Sequence, residues 1–236
     1  MDIQTIVILA VSGAILLALV IALAVANYAG ENLITVYKKY EKRIVDFNTT
    51  LNFAERVSAS EFNGKIQTAI IPGFLTDNYY KNTISLSEGV AGASNVSAFA
   101  VCAHELGHAM QYRDMPQKMK KFTHKLVFCT IVSKLALPII LVAIPFVFFN
   151  IWIAVGILAG GLFCFLSGLI AKLSTIKIEK EASENAIGLL QKYADYDEDS
   201  CKIARKVLSA AKLTYIASFL KSVLSWTFLV NKYDFY

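Results

Sequence analysis

Two kinds of segment alternate along the chain: long runs without charge, and mixed segments in which charged and apolar side chains recur at helical spacing. From Ile6 to Ala26 no charged residue occurs, and the run is long enough to cross the roughly 30 Å hydrocarbon layer of a bilayer as one helix. A cleaved signal peptide is the competing reading. Met1 to Thr5 carries no basic residue and the apolar run exceeds a usual signal core, so an uncleaved anchor is expected. A second apolar block, Leu126 to Ile170, is broken only by Lys134 and Asn150. As one helix it would be about twice the hydrocarbon thickness, so it must fold back near Asn150 as a two-span hairpin. Pro138 and Pro145 are expected to kink the first arm, which neighbouring helices tolerate in a bilayer. Lys134 reads as a lysine snorkelling to the interface, with an intramembrane functional charge as the alternative. Leu213 to Val230, interrupted by Lys221, is either a fourth span or an interfacial helix.

The mixed segments carry different signals. Tyr37 to Phe62 has helical spacing and Gly64 ends it. Lys65 to Ile71, closed by Pro72 and Gly73, and Thr83 to Ser87, with alternating Ile84 and Leu86, read as short strands able to pair in a small sheet. A helix should begin at Ser94 or Asn95, both good caps, and continue through Val96, Phe99, Ala100, Ala103, Leu106 and Met110. The fold class expected is mainly α and integral to the membrane, with a small β element and three to four membrane helices. Its division is an N-terminal transmembrane anchor (1–30), a polar segment (31–125), a transmembrane hairpin (126–170), a second helical polar segment (171–212) and a membrane-associated C-terminal helix (213–236).

Composition agrees with this picture. Of 236 residues, 56% are hydrophobic and 17% charged, too apolar for a water-facing surface unless long stretches meet lipid. The net charge of +5 is not gathered into an arginine-rich stripe with interleaved aromatics, so nucleic-acid binding has no support. The lysines and arginines report topology instead. Lys38, Lys39, Lys42, Arg43, Lys118, Lys120, Lys121 and Lys125 fall between Glu31 and Lys125, and more lie between Lys172 and Lys212, whereas the N-terminal tail and hairpin tip have none. By the positive-inside rule both polar segments are cytoplasmic. Cys102, Cys129, Cys164 and Cys201 are far apart and read as reduced, apolar-environment residues.

On the helix that starts near Asn95 stands His104-Glu105-Leu106-Gly107-His108, the HExxH pattern. Residues four apart lie one turn above each other, so both imidazoles can reach one metal while Glu105 flanks it, a spacing that suits zinc. Chance alone would produce the pattern in roughly one chain in a hundred of this size. Here two of only three histidines are spent on it, inside a helix whose Ala100, Ala103, Gly107 and Ala109 permit close packing. The alternative is a pair of helix histidines satisfied by core hydrogen bonds.

A catalytic zinc wants a third protein ligand and an open position. A third histidine six residues after His108 is missing, since Asp114 stands there and Gln111 replaces the glycine between. His124, at the mouth of the second span, reads as interfacial. Glu179, Glu181 and Glu184 follow the third span, and the hairpin returns them to the side bearing the histidines. Glu179 is favoured: Ser183 lies one turn later on its face, Ala182 and Ala186 leave room for the zinc helix, and Glu181 points about 200° away. Glu181 and Glu184 read as solvated-face residues, and Ser183 as a partner that orients a ligand or as an ordinary surface serine.

These residues resemble the YugP-type family of bacterial membrane-bound neutral zinc metallopeptidases. The resemblance is carried by Pro72-Gly73-Phe74-Leu75-Thr76-Asp77, by Leu86-Ser87-Glu88-Gly89-Val90, by Ala103 to Gln111, by Ile178-Glu179-Lys180-Glu181-Ala182-Ser183 and by Ala204 to Ala217, over about Val36 to Phe219. It implies a zinc-dependent peptidase of gluzincin type, with one Zn2+ per chain, His104, His108 and Glu179 as ligands and Glu105 as catalyst. Lys177 stands where the family has a proline, Glu181 where it has Asp or Asn, and Ser183 where the wider gluzincin pattern has aspartate.

The activity expected is hydrolysis of peptide bonds in peptides or proteins, membrane proteins among them, with Glu105 as general base. Tyr215, Tyr79 and Tyr80 are candidate oxyanion donors, and the Thr83 to Ser87 strand is a candidate for edge pairing with an extended substrate. The rivals are a membrane scaffold braced by zinc and a latent peptidase; a bracing site needs no carboxylate poised beside the ligands, and is usually closed by cysteine or further histidine.

Overall fold

The computed structural model describes residues 3–44 and 49–224, and is mainly helical with one small sheet. In chain order the elements are α1 (Ile3–Glu41), α2 (Thr50–Phe62), β1 (Gln67–Ile71), β2 (Asn78–Tyr80), β3 (Thr83–Ser87), α3 (Glu88–Ala91), α4 (Val96–Asp114), α5 (Pro116–Lys134), α6 (Ala136–Phe149), α7 (Ile151–Tyr193) and α8 (Glu198–Leu224). The described residues group into two compact units, one of α1 up to Glu31, Lys125–Leu173 and the end of α8 from Leu213, the other mainly of Asn32–His124 and Ser174–Lys212.

The first unit holds the apolar segments. Among the described residues, Pro116–Phe149 and Ile151–Tyr193 are helical stretches long and apolar enough to cross a bilayer. The chain leaves α6 at Asn150, whose side-chain Oδ1 accepts from the Trp152 and Ile153 amides and so caps α7. A break at Leu135 separates α5 from α6, and Pro145 lies inside α6. Gly161 permits close packing here: a Cβ on it would stand 2.7 Å from Ile140 Cγ1 and 3.3 Å from the Ala136 carbonyl oxygen. Large apolar side chains, including Phe148, Phe149 and Trp152, point outward. Lys134, expected to snorkel, is buried. The run Ile6 to Ala26 lies within α1, most of whose side chains there are outside those described, and the final hydrophobic stretch runs beyond Leu224 into residues also outside them.

The second unit is built around a core of Phe53, Val57, Ile84, Leu86, Phe99, Leu106 and Leu190, with the Phe53 and Phe99 rings 5.3 Å apart. The continuous helix expected over Tyr37 to Phe62 is instead two. The chain breaks after Glu41, where the Arg43 carbonyl accepts from Val96 N and Ile44 bridges Asn95, and α2 restarts with Thr49 as its cap. Thr49 favours the restart by accepting from Asn52 N through its side chain, and the Thr50 hydroxyl donates to the Val90 and Ala91 carbonyls. Asn63, left-handed at φ 54, and Gly64, at φ 71, end α2.

The sheet has the order β1-β3-β2, with β1 parallel to β3 and β2 antiparallel to it. β3 is therefore the central strand, both of its edges already paired, and cannot accept an extended substrate as the sequence suggested. Among the described residues the free edges belong to β1 and β2. Strand β2 is only three residues long, too short to leave a periodic signal. Asp77, just before it, accepts hydrogen bonds from the amide of Ser87 at 2.7 Å and from its hydroxyl, which fixes this segment against β3.

Glu61, near the end of α2, ties three helices. Its carboxylate accepts from Lys192 Nζ and the Tyr193 hydroxyl, both at 2.7 Å, and from Arg113 at 3.3 Å. These bonds, Lys192 first, hold its pKa down at about 2 against an ordinary 4.5. A folded-state pKa below the unfolded one adds stability that is complete above pH 4.5 and is lost as pH falls towards 2. Glu61→Gln is expected to lower stability at neutral pH by about 1 kcal/mol and to converge with the unaltered protein near pH 2, by thermal unfolding across pH.

Candidate metal centre

Helix α4 starts at Asn95, whose side chain accepts from Ala98 N at 2.9 Å, and its buried face continues through Leu106 to Gln111. His104, Glu105 and Gln111 are buried on it, and His108 is nearly so. The part of α7 that belongs to the same unit lies against this face at Gly107. A Cβ there would stand 2.3 Å from the Ala182 carbonyl oxygen, so only glycine lets the two backbones approach this closely. Asn185 donates to the Gly107 carbonyl at 3.4 Å, adding a polar contact at the crossing.

That approach brings Glu179 to both imidazoles. Glu179 Oε2 stands 3.1 Å from His104 Nε2 and 3.4 Å from His108 Nε2, and the imidazole rings are 4.7 Å apart, nearly perpendicular. One donor atom from each of the three residues lies within 4.8 Å of the others, so the set could hold one metal ion. Two imidazoles and a carboxylate suit zinc, and three protein donors leave a position open.

The other ring nitrogens have partners of their own. His108 Nδ1 lies 3.0 Å from Gln111 Oε1, and Gln111 Nε2 donates to the Ile178 carbonyl at 2.8 Å, one residue before Glu179. His104 Nδ1 lies 3.5 Å from the Ser183 hydroxyl, which donates to the Glu179 carbonyl at 2.8 Å. Nε2 of each imidazole bonds Glu179; a bound metal would replace the proton of that bond, and Nδ1 protons held on these oxygens would then leave each Nε2 as a lone-pair donor. In the sequence Gln111 closes the Ala103 to Gln111 motif and stands as the wrong residue for a different ligand pattern, with no role of its own. Its position three residues after His108 was the available signal.

The two carboxylates differ sharply. Burial pushes Glu179 up, but hydrogen bonds from His104 and His108 outweigh it and hold the group well below the usual carboxylate range. Burial raises Glu105, only partly offset by the positive potential of His108 and His104, and the charges of Asp77 and Glu179 raise it further. His108, lowered by burial, is carried up to about 9 by Glu179 and Glu105. Asp77 is thus part of the site's electrostatics, although its sequence signal was only the Pro72 to Asp77 motif.

The remaining candidates lie elsewhere. Glu181 is half-buried and 3.5 Å from Gln111 Nε2, Glu184 pairs with Arg205 on the surface, and His124 and Asp114 are exposed. Tyr79 donates its hydroxyl to Asn82, Tyr80 is exposed, and Tyr215 lies in α8 with its side chain outside those described.

Two substitutions test this construction. Gly107→Ala is expected to cost about 1–3 kcal/mol by overpacking and to abolish the rise in Tm on adding zinc, because the helices must separate. Gln111→Met, close in volume, is expected to leave the fold intact while weakening zinc binding by about 10–100-fold in a chelator competition titration.

A family model described as "putative neutral zinc metallopeptidase" matches residues 15–232 of the chain. A relative in Bacillus subtilis (strain 168), named "putative membrane protease YugP", is 26% identical over 207 residues, covering 86% of this chain and 88% of its own. No solved structure matches. With a match that runs nearly the whole length of the chain and takes in both helices of the metal centre, the protein belongs to this family of neutral zinc metallopeptidases, the YugP type.

Proposed function

We propose that the protein is a membrane-embedded zinc endopeptidase, with one zinc ion held by His104, His108 and Glu179 and with Glu105 as general base. The observation that carries this reading is a three-donor metal set, buried at His104 and Glu179 and nearly so at His108, with a further buried carboxylate that is not one of the donors. A zinc that merely braced the fold would have no use for Glu105.

Bound zinc supplies Lewis acidity at the scissile carbonyl and at the attacking water. Glu105 takes the proton as the water oxygen bonds to the carbonyl carbon, then delivers it to the leaving nitrogen as the C–N bond breaks. Ser183 and Gln111 hold the imidazoles in one tautomer. The free edge of β2 offers backbone groups to an extended peptide, and this strand packs beside α4.

Membrane residence is supported by the two long apolar helical stretches with outward-facing Phe148, Phe149 and Trp152, and by the relative named as a membrane protease. The distribution of lysine and arginine argues for a multi-pass chain with the site on the cytoplasmic side, acting on peptides or proteins, membrane proteins included.

Glu105→Gln decides the matter in detergent-purified protein. The variant is expected to keep one zinc per chain while cleavage of unfolded protein and membrane-protein fragments falls by about 10²–10⁴-fold. Unchanged cleavage would remove Glu105 from the chemistry, and a wild-type protein that binds no zinc would sink the reading altogether.

A further inference from the structure

A cavity of about 450 Å³ opens between the end of α2, the β2–β3 turn and α4, with Ala109, Tyr112, Tyr79, Lys65 and Lys81 among its lining. Glu105, Ala109 and Tyr112 are spaced four and three residues apart and so share one stripe of α4. Ala109 lies one turn, about 6 Å, beyond Glu105 along the helix axis. An extended peptide advances about 3.3 Å per residue, so a side chain one or two positions from the bond under attack would reach this floor. The same β2 whose edge is free supplies the wall, through Tyr79, whose ring lies 5.5 Å from that of Tyr112.

Charge gives the cavity its character. Arg113 is balanced by Glu61 and Asp114. Lys65 and Lys81 are exposed, and among the described residues neither has a carboxylate partner; Lys81 Nζ sits 5.0 Å over the Tyr80 ring. Two uncompensated positive charges therefore border a cavity with aromatic walls. Lys81 also occupies a costly position: at φ 45, followed by Asn82 at φ 63, it is the first residue of a two-residue hairpin turn that favours asparagine or glycine.

We infer that this cavity is a substrate subsite for an acidic side chain, Asp or Glu, one or two residues from the scissile bond, with Lys65 and Lys81 as its specificity residues. The inference rests on the peptidase reading for the direction of the substrate, while charge complementarity selects the carboxylate.

The test uses matched fluorescent peptides that carry Glu, Gln or Lys at those positions. Binding is measured by anisotropy on full-length Glu105→Gln protein in detergent, and kcat/KM on the protein with Glu105 intact. The Glu peptide is expected to bind about fivefold more tightly than its Gln twin at low salt, with the gap closing in high salt. Lys81→Asn, which gives the turn a residue it favours and so preserves the fold, should erase most of that preference. Lys65→Glu or Lys81→Glu should turn it towards the Lys peptide, and Lys206→Glu, an equal charge change on α8, should leave it alone. Equal binding of Glu and Gln peptides, or a preference indifferent to Lys65 and Lys81, overturns the subsite even if peptides are cleaved. A lysine-dependent preference without any cleavage upholds acidic recognition in the cavity and defeats the peptidase reading instead.

Discussion

The metal centre depends on two helix backbones meeting at Gly107. Side chains on neighbouring helices usually hold the axes 8–10 Å apart, and a short carboxylate on one helix does not then span to two imidazoles on the other. Removing one Cβ lets the Ala182 carbonyl lie where a methyl group would be, and Glu179, three residues before it, comes within hydrogen-bond range of both histidines. The small residues near the crossing follow from the same need: Ala103 and Ala186 are buried beside it with little volume to displace.

Proximity alone would leave three polar groups in a dry place at a large desolvation cost. Each is compensated by a named neighbour. Gln111 and Ser183 each join an imidazole to the backbone of α7, at Ile178 and Glu179, so the bonds that orient the rings also hold the helix that brings the carboxylate. Two glutamates in one buried spot shift in opposite directions: burial raises both, but hydrogen bonds from His104 and His108 carry Glu179 down, whereas the positive potential of the same imidazoles only partly offsets the burial of Glu105. Environment, not residue type, sets the two carboxylates apart.

Much of this was legible in the chain, and the reasons are physical. The four-residue spacing of His104 and His108 is local geometry, readable wherever a helix is expected. The turn at Asn150 was expected because the apolar run is about twice the thickness of a bilayer, and the return it implies put Glu179 within reach of the histidines. What escaped depends on contacts between distant residues. Gln111 bonds a carbonyl 67 positions away, and Asp77 is placed by Ser87 across the sheet. The break before α2 comes from Arg43 and Ile44 pairing at the start of α4, about fifty residues on. β3 looked like a free strand because β2 is too short to announce itself.

The donors of the metal centre are separated by the whole apolar hairpin: His104 and Glu179 are 75 residues apart in the chain. A ribosome adding about 5–20 residues per second emits HExxH several seconds before the carboxylate that completes the set. Throughout that interval the nascent chain has a two-histidine helix with no third donor, and the hairpin must be made and passed before one arrives. The order of segments therefore acts as a clock on assembly, delaying a complete donor set until the apolar hairpin has been synthesised.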